Sequence, residues 1–433
     1  MTMKRALGRQ VLDDHQTGPL YSRRFESVNG GKAPSSVTQG LATLSAQITA
    51  LSYALAHTSG EAVSSKQSTT WLAEPHTIAK IGMLRSYLYQ WFSILGRRFN
   101  GKDLWYIDGF AGPGEYENYP QGSPLAALAS AESALNDSGE KWMAGTIHCI
   151  FMEEVAARAK HLKRKLDEMP VHPRIRRHVY HGSFVEGFAW LNGQGENPFR
   201  SSDPLFAFID PFGPSDMSFA VVKDLLSRRA SEVLVNLDSD GVSRIYSAGE
   251  NAGHKEVLTN VFGDNSWESE LTGVRQTEAI PRIVALYKKK LRALPDVNYV
   301  FSFEMRKKSH IFDYHLVFAS QHPTGLEKMK EVMKKIDQTG DYCFSDDHVG
   351  QARLFSFDDP AVAALAMAEH FDSTVATYED VATYALNESP FPNPKSMLRV
   401  LESEGRISVD CGNMPRRKRT YPESLHELIR IRF

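Results

Sequence analysis

Short apolar segments alternate with segments of helical periodicity along the middle of this 433-residue chain. Most of the apolar segments are continuous, as expected of strands that are buried on both faces of a parallel sheet. The five predicted strands cover residues 104–111, 146–154, 178–184, 204–213 and 231–240. Their alternation with helices predicts a doubly wound α/β fold.

Two further predicted strands, residues 299–305 and 314–320, are separated by only eight residues. That gap is too short for a crossover helix, so the two strands should form an antiparallel hairpin. Five parallel strands followed by such a hairpin resemble the seven-stranded, Rossmann-like sheet of class I methyltransferases. A dinucleotide-binding dehydrogenase would keep its strands parallel to the end.

Changes in composition divide the chain into three parts. Residues 1–70 are predicted to be a partly disordered extension with one amphipathic helix at 41–57. Residues 71–360 should form the methyltransferase-like domain, with an insertion or lid at 241–276. Residues 372–433 resemble a winged helix-turn-helix, with two helices, Gly405 as a helix stop, and a two-stranded wing at 407–422.

The composition is that of an ordinary globular protein. Its 50 basic and 52 acidic residues give a net charge of −2, so any argument for nucleic acid must be local. Cys149, Cys343 and Cys411 show no CxxC spacing, which argues against a metal site or a disulfide framework. We expect reduced thiols in a cytoplasmic protein without a metal, a secretory signal or a membrane span.

A glycine-rich loop directly follows the first predicted strand. Its glycines allow a sharp turn and a close approach to a ligand, and the acid that opens it suits a cationic group better than a phosphate. The predicted cofactor-binding residues here are Asp108, Gly109, Phe110, Ala111, Gly112 and Gly114. The alternative is a tight turn with a structural aspartate.

The segment EYENYPQ separates these glycines from the next helix, for which Ser123 is a good N-cap and Pro124 a good first residue. The loop is therefore extended, and Tyr116 within it is a candidate substrate contact. His76 and Lys80 precede the loop, four residues apart on one helix face. They could border the cofactor carboxylate, or they could simply be solvated.

The ends of the second and third strands carry further candidates. Glu153 could accept the ribose hydroxyls of a bound adenosine, or it and Glu154 could cap the next helix. Ser183 and Phe184 could border the adenine, or they could be a helix N-cap and a core residue.

The fourth strand ends in Asp210-Pro211-Phe212-Gly213-Pro214. Two prolines and a glycine fix this backbone rigidly, and the motif resembles the D-P-P-[YFW] loop of amino-methyltransferases. The DPFG form is closer to tRNA guanine dimethyltransferases. That resemblance implies that Asp210 and Pro211 hold an exocyclic amine toward the methyl group while Phe212 stacks on the base. The alternative is a stiff turn with a capping aspartate.

Four basic residues, Arg416, Arg417, Lys418 and Arg419, lie on the predicted wing, where they could contact phosphates. The predicted recognition helix carries Glu402 and Glu404 as well as Lys395 and Arg399, which gives only a weak basic face. A charged wing tip can also be a solvated loop.

As a set, HT-x-x-K, DGFAGPG-x-Y, GSPL and DPFG resemble the three-Cys-motif partner (TcmP-type) family over roughly residues 71–430, including its terminal winged helix. The resemblance implies S-adenosylmethionine as cofactor. It also implies association with a separate cysteine-motif protein of radical-SAM or phage type.

We therefore expect a methyltransferase that acts on an exocyclic amine of a base in RNA or DNA. One alternative is a non-catalytic or cofactor-binding partner subunit. Another is a methyltransferase for a protein or a small molecule.

Overall fold

The computed structural model describes residues 69–200, 202–249, 251–307, 313–337, 340, 342–349 and 359–433. The predicted helix at 41–57 and nearly all of the predicted N-terminal extension lie outside these residues. These described residues belong to one compact unit. Among the described helices, none combines the length and apolar character that crossing a membrane requires.

Eight strands form the central sheet. They are β1 (Leu104–Asp108), β2 (Ile147–Glu153), β3 (Ile175–His181), β4 (Leu205–Ile209), β5 (Ser231–Leu237), β6 (Tyr299–Arg306), β7 (Asp313–Ser320) and β8 (Cys343–Ser345). Their order is β3-β2-β1-β4-β5-β7-β6-β8. The first five are parallel, and β7 pairs antiparallel with both β5 and β6. This confirms the predicted Rossmann-like fold with its hairpin, while the short β8 was not predicted.

Helices cover the sheet. They are α1 (Pro75–Arg98), α2 (Ser123–Ser138), α3 (Ala156–Glu168), α4 (Phe184–Asn192), α5 (Phe219–Leu226), α6 (Ser239–Ser247), α7 (Ala252–Phe262), α8 (Trp267–Leu271), α9 (Gln276–Arg292) and α10 (Pro323–Ile336). Tyr106 of β1 belongs to one apolar cluster and its neighbours Trp105 and Ile107 to another. Both faces of the strand are therefore buried, which explains its continuous apolar sequence.

The segment predicted as an insertion or lid, residues 241–276, is largely helical. It contains most of α6, then α7 and α8, and its Leu258, Trp267 and Leu271 are buried in the core. The segment therefore packs as an integral part of the domain. Its asparagine Asn260 nevertheless reaches the candidate site described below.

The C-terminal residues have their own apolar core. Their elements are α11 (Pro360–His370), β9 (Val375–Thr377), α12 (Tyr378–Glu388), α13 (Lys395–Ser403), β10 (Ser408–Asp410) and β11 (Arg430–Arg432). Gly405 follows α13 with φ +70°, as predicted for a helix stop. The prediction of both wing strands at 407–422 was wrong, because β10 pairs with β11 at the C-terminus. The winged-helix assignment stays a prediction.

Buried polar contacts join this C-terminal part to the sheet. The Lys330 ammonium of α10 donates to the carbonyls of Ala385 (3.2 Å) and Ser389 (2.6 Å) at the end of α12. Asn387 accepts from the Val300 amide of β6 at 2.7 Å. The Lys330 bonds satisfy carbonyls at the end of α12 and hold it to α10, and the Asn387 bond satisfies a strand amide and holds α12 to β6.

Candidate cofactor and substrate site

A cavity of about 530 Å³ opens at the carboxyl ends of β1, β2, β3 and β4. This is the end of an open α/β sheet where ligands bind. The volume lies within the roughly 300–1,000 Å³ that small-molecule sites occupy. The lining residues are Gly109, Phe110, Met152, Glu153, Glu154, Val155, Arg158, Gly182, Ser183, Phe184, Val185, Phe212, Ser215, Asp216, Met217, Ser218 and Asn260.

Five of the predicted cofactor residues line the cavity: Gly109, Phe110, Glu153, Ser183 and Phe184. The other four do not line it: Asp108 is the last residue of β1, and Ala111, Gly112 and Gly114 belong to the loop that follows. Arg158 and Asn260 were not predicted, since a basic residue on an amphipathic helix and an asparagine in a polar segment carry no local signal.

The backbone of the glycine loop makes the sharp turn that its sequence predicted. Gly112 and Gly114 have φ of +61° and +86°, which side chains disfavour. A Cβ on Gly114 would lie 2.7 Å from Leu162 Cδ1. These two positions therefore require glycine for backbone conformation, and a side chain at Gly114 would also have to displace the end of the Leu162 side chain.

Glu153 ties this loop to β2. Its Oε2 accepts from the Gly112 amide at 2.9 Å, and its Oε1 accepts from the Val155 amide at 2.8 Å. Burial raises the pKa of this carboxyl above its ordinary value, against the effect of those amides and of Arg158. A carboxylate offers about four acceptor positions, so about two remain for ribose hydroxyls. Glu154 is exposed at the cavity rim.

Ser183 and Phe184 have the structural roles, helix N-cap and core residue, that the sequence offered as alternatives to contact with adenine. Ser183 forms a capping box with Glu186 at the start of α4. Phe184 is buried, its ring centroid 5.5 Å from that of Phe110. A Cβ on Gly109 would lie 2.7 Å from the Phe184 ring. Both residues also line the cavity, so their predicted contact with adenine stays a prediction.

Asp108 is fully buried beneath the loop. Burial raises its pKa to about 7, with a further contribution from Asp210, although Ser123, the Phe110 amide and Tyr106 donate hydrogen bonds to it. Ser123 was expected to be the N-cap of α2, but that position is occupied by Gly122. The expectation was wrong because the Ser123 hydroxyl bonds the Asp108 carboxylate instead.

A polar cluster surrounds Asp210 at the end of β4. Lys80 Nζ lies 2.7 Å from Oδ1 and 2.6 Å from Oδ2, and Asn236 Nδ2 donates to Oδ1 at 2.6 Å. Tyr314 lies beneath the Lys80 ammonium, 5.4 Å from ring centroid to Nζ. Lys80 and its helix neighbour His76 are buried, so the alternative that they are solvated was wrong, while their contact with a cofactor carboxylate stays a prediction.

The remaining members of this cluster connect it to β8 and to the extended loop. His76 Nδ1 lies 2.8 Å from Asp346 Oδ2. Tyr116 is close enough to Asp210 and Asp108 that these acids, after burial, raise the pKa of its phenol above the ordinary value. Tyr116 thus lies beside Asp210, on the predicted substrate side. Asn236, Tyr314 and Asp346 were not predicted, because distant segments bring them together.

Phe212 forms the border between the cavity and this cluster. Its side chain is 51% exposed, and the Arg158 guanidinium lies 5.1 Å from its ring centroid. Trp71 contacts both Phe212 and Tyr116, with ring centroids 6.3 and 5.5 Å apart. The extended loop holds Trp71 through the Glu117 amide, which donates to its carbonyl at 3.0 Å. Pro211 is buried and does not line the cavity.

The four basic residues near the C-terminus are not equivalent. Arg416 donates to both oxygens of Glu402, at 2.5 and 3.2 Å, and this ion pair is largely buried. Arg417, Lys418 and Arg419 are exposed in the connection between β10 and β11. Only these last three side chains present their charge to solvent.

The three cysteines are free thiols, and all three are buried. Burial raises the pKa of the Cys149 thiol to about 12, which keeps it protonated and unreactive. Within the described residues, no group of histidine, cysteine and acidic side chains is arranged to hold a metal ion.

No family model matches this chain, and no curated protein matches it. Solved structures that resemble it include an O-methyltransferase from Bacillus cereus in complex with SAH, at 11% identity and a TM-score of 0.31, covering 63% of this chain and 89% of that one. Trm1 from Pyrococcus horikoshii with S-adenosyl-L-methionine is 11% identical, covering 63% and 62%, with a TM-score of 0.29. TomG, an O-methyltransferase from Streptomyces achromogenes, is 12% identical, covering 57% and 91%, with a TM-score of 0.28. The order and direction of the strands, rather than these likenesses, establish the fold.

Proposed function

We propose that this chain binds S-adenosylmethionine in the cavity and transfers its methyl group to an exocyclic amine of a nucleic-acid base. The observation that carries the proposal is the position of the Asp210 carboxylate. It lies two residues before Phe212, which lines the cavity, and it is held by Lys80 and Asn236. An acceptor for an amine thus lies directly beside a ligand-sized cavity in a methyltransferase-type sheet.

The cavity residues fit this cofactor. Glu153 keeps acceptor positions for the ribose hydroxyls, and Val155, Phe184 and Val185 provide apolar surface for the adenine. Asp108 supplies negative charge beneath the glycine loop for the cationic methionine part. Bound S-adenosylmethionine supplies an electrophilic methyl group on a positively charged sulfur.

On the substrate side, three of the roughly four acceptor positions of Asp210 are used by Lys80 and Asn236. The position left on Oδ2 can accept one N–H of an amine and turn the nitrogen lone pair toward the methyl group. Phe212 presents an exposed ring on which a base can stack. A base must leave its helical stack to reach such a site, and catalysis would consist mainly of alignment. The amine nitrogen would bond the methyl carbon as the carbon–sulfur bond breaks and leaves a neutral thioether, and the surplus proton of the nitrogen would pass to Asp210 or solvent.

The exposed Arg417, Lys418 and Arg419 would contact phosphates from a winged helix. The set of motifs that resembles the three-Cys-motif partner family supports membership of that family. Association with a separate cysteine-motif protein is part of the same proposal.

Calorimetric titration with S-adenosylmethionine tests the cofactor, with Asp108→Ala as the variant. We expect binding by the wild type and a large loss in the variant. Transfer of labelled methyl groups to RNA and DNA pools then tests the substrate. A folded wild type that does not bind the cofactor would exclude a stand-alone enzyme and leave the partner-subunit alternative.

A further inference from the structure

Three buried polar atoms around Asp210 have no hydrogen-bond partner. They are Asn236 Oδ1, the Tyr314 hydroxyl and Asp346 Oδ1, and they account for three of the ten such side-chain atoms among the described residues. Buried polar groups are almost always hydrogen-bonded, so each exception calls for an explanation. Asn236 bonds Asp210 directly and Asp346 joins the same polar cluster through His76, so the presence of these atoms in one cluster indicates that a ligand provides the missing partners.

The residues that carry these atoms are positioned by the groups already assigned to the substrate side. Asn236 is fixed by its own Nδ2, which donates to Asp210 at 2.6 Å and leaves Oδ1 as a free acceptor. Tyr314 is held by the ammonium of Lys80, 5.4 Å from its ring centroid, and by the edge of His76, 5.7 Å between centroids.

The hydroxyl of Tyr314 is available as a donor. Burial, followed by the charges of Asp210 and Asp346, raises its pKa well above the ordinary value, so it keeps its proton at neutral pH. The site therefore offers two acceptors, Asp210 Oδ2 and Asn236 Oδ1, and one donor, the Tyr314 hydroxyl.

We infer that Asn236 and Tyr314 are specificity-determining residues that recognise the N=C–NH₂ edge of a nucleobase. The two acceptors would take the two N–H groups of the amine, and the hydroxyl would donate to the adjacent ring nitrogen. Adenine, cytosine and guanine carry this edge, whereas uracil and thymine carry a carbonyl in place of the amine. The inference rests on the proposed function and names which bases the site accepts.

Nucleosides serve as probes because the polymer is not identified. The full chain is titrated calorimetrically with adenosine, cytidine, guanosine and uridine. We expect at least one amine-bearing nucleoside to bind roughly tenfold or more tightly than uridine, since a carbonyl facing two acceptors leaves buried groups unpaired. Equal binding of uridine would overturn the inference.

Tyr314→Phe is the decisive variant. It removes only a hydroxyl that has no partner, so its melting temperature should equal or exceed that of the wild type. Its affinity for the preferred nucleoside should nevertheless fall roughly tenfold, because one hydrogen bond to the ligand is lost. Its kcat/KM for labelled methyl transfer should fall by a similar factor.

Tyr87→Phe is the matched control. The Tyr87 hydroxyl is buried and donates to the Glu232 carboxylate at 2.5 Å. Glu232 lies at the start of β5, whereas Asn236 lies near its end. This variant should melt at a lower temperature and bind nucleosides like the wild type. Unchanged affinity in Tyr314→Phe would overturn the inference.

The two proposals can fail separately. Methyl transfer that Tyr314→Phe leaves unchanged would refute the role of Tyr314 and retain the methyltransferase. Selective nucleoside binding without any methyl transfer would retain the amine site and refute the catalytic proposal. If the wild type binds no nucleoside and transfers no methyl group, both proposals are refuted.

Discussion

Asp108→Asn should make the protein more stable at pH 8 and weaken its binding of S-adenosylmethionine. Asp108 is fully buried, and none of the groups that shift its pKa is a lysine or an arginine that could neutralise its charge. An asparagine has nearly the same shape and carries no charge at any pH. The variant therefore removes the cost of a buried charge while leaving the packing of the loop in place.

The expected magnitude follows from the pKa. Folding raises it from 3.8 to about 7, a shift of about three pH units, and at about 1.36 kcal/mol per unit this corresponds to about 4 kcal/mol. Because the folded state holds the proton more tightly, the wild type loses stability as the pH rises from about 4 to about 7. Asn at position 108 removes this contribution, so the gain in stability is absent near pH 4, grows as the pH rises, and is complete above about pH 7.

Urea denaturation of both proteins between pH 4.5 and pH 8.5 measures this difference. Calorimetric titration with S-adenosylmethionine at pH 8 measures the loss of affinity. Glu232→Gln is the matched control, since burial raises the pKa of Glu232 also to about 7, at the opposite end of the sheet. We expect this control to gain stability above pH 7 and to bind the cofactor normally.

Two results would refute the reasoning. If Asp108→Asn were less stable than the wild type at pH 8, the buried charge would not be the dominant cost. If it bound the cofactor as tightly as the wild type, Asp108 would be a structural aspartate, which is the alternative that the sequence left open.

Four further outcomes are expected. Lys80→Met should destabilise the fold by about 3–5 kcal/mol in urea denaturation, since it leaves Asp210 without its partner, and stability equal to the wild type would contradict the pairing. Lys330→Met should cost about 2–4 kcal/mol, because the carbonyls it bonds at the end of α12 lose their donor; thermal unfolding checks this. Gly114→Ala should cost about 1–3 kcal/mol and reduce cofactor affinity, through its positive φ and the contact with Leu162. Lys418→Ala should weaken nucleic-acid binding and reduce its salt dependence. Arg416→Ala should mainly lower stability, because the ion pair with Glu402 is lost.

The sequence by itself determined seven of the eight strands of the central sheet and the end of the sheet at which the cavity lies. Continuous apolar runs are typical of strands buried on both faces, and the eight-residue gap is too short for a crossover helix and therefore favours a hairpin. The glycines at 112 and 114 indicated a backbone with positive φ, because few other residues adopt that conformation. These features depend on neighbours in the chain, so local pattern was sufficient to predict them.

Only the tertiary structure decided what surrounds Asp210. Lys80 lies 130 residues from it in the chain, and Tyr314 reaches it from the antiparallel strand β7. No periodicity or spacing encodes such a contact, since it depends on which strands become neighbours. For the same reason, the sequence could not show that Ser123 bonds Asp108 or that Glu402 engages Arg416. A side chain's type can be read from the sequence, but its partner is decided by packing.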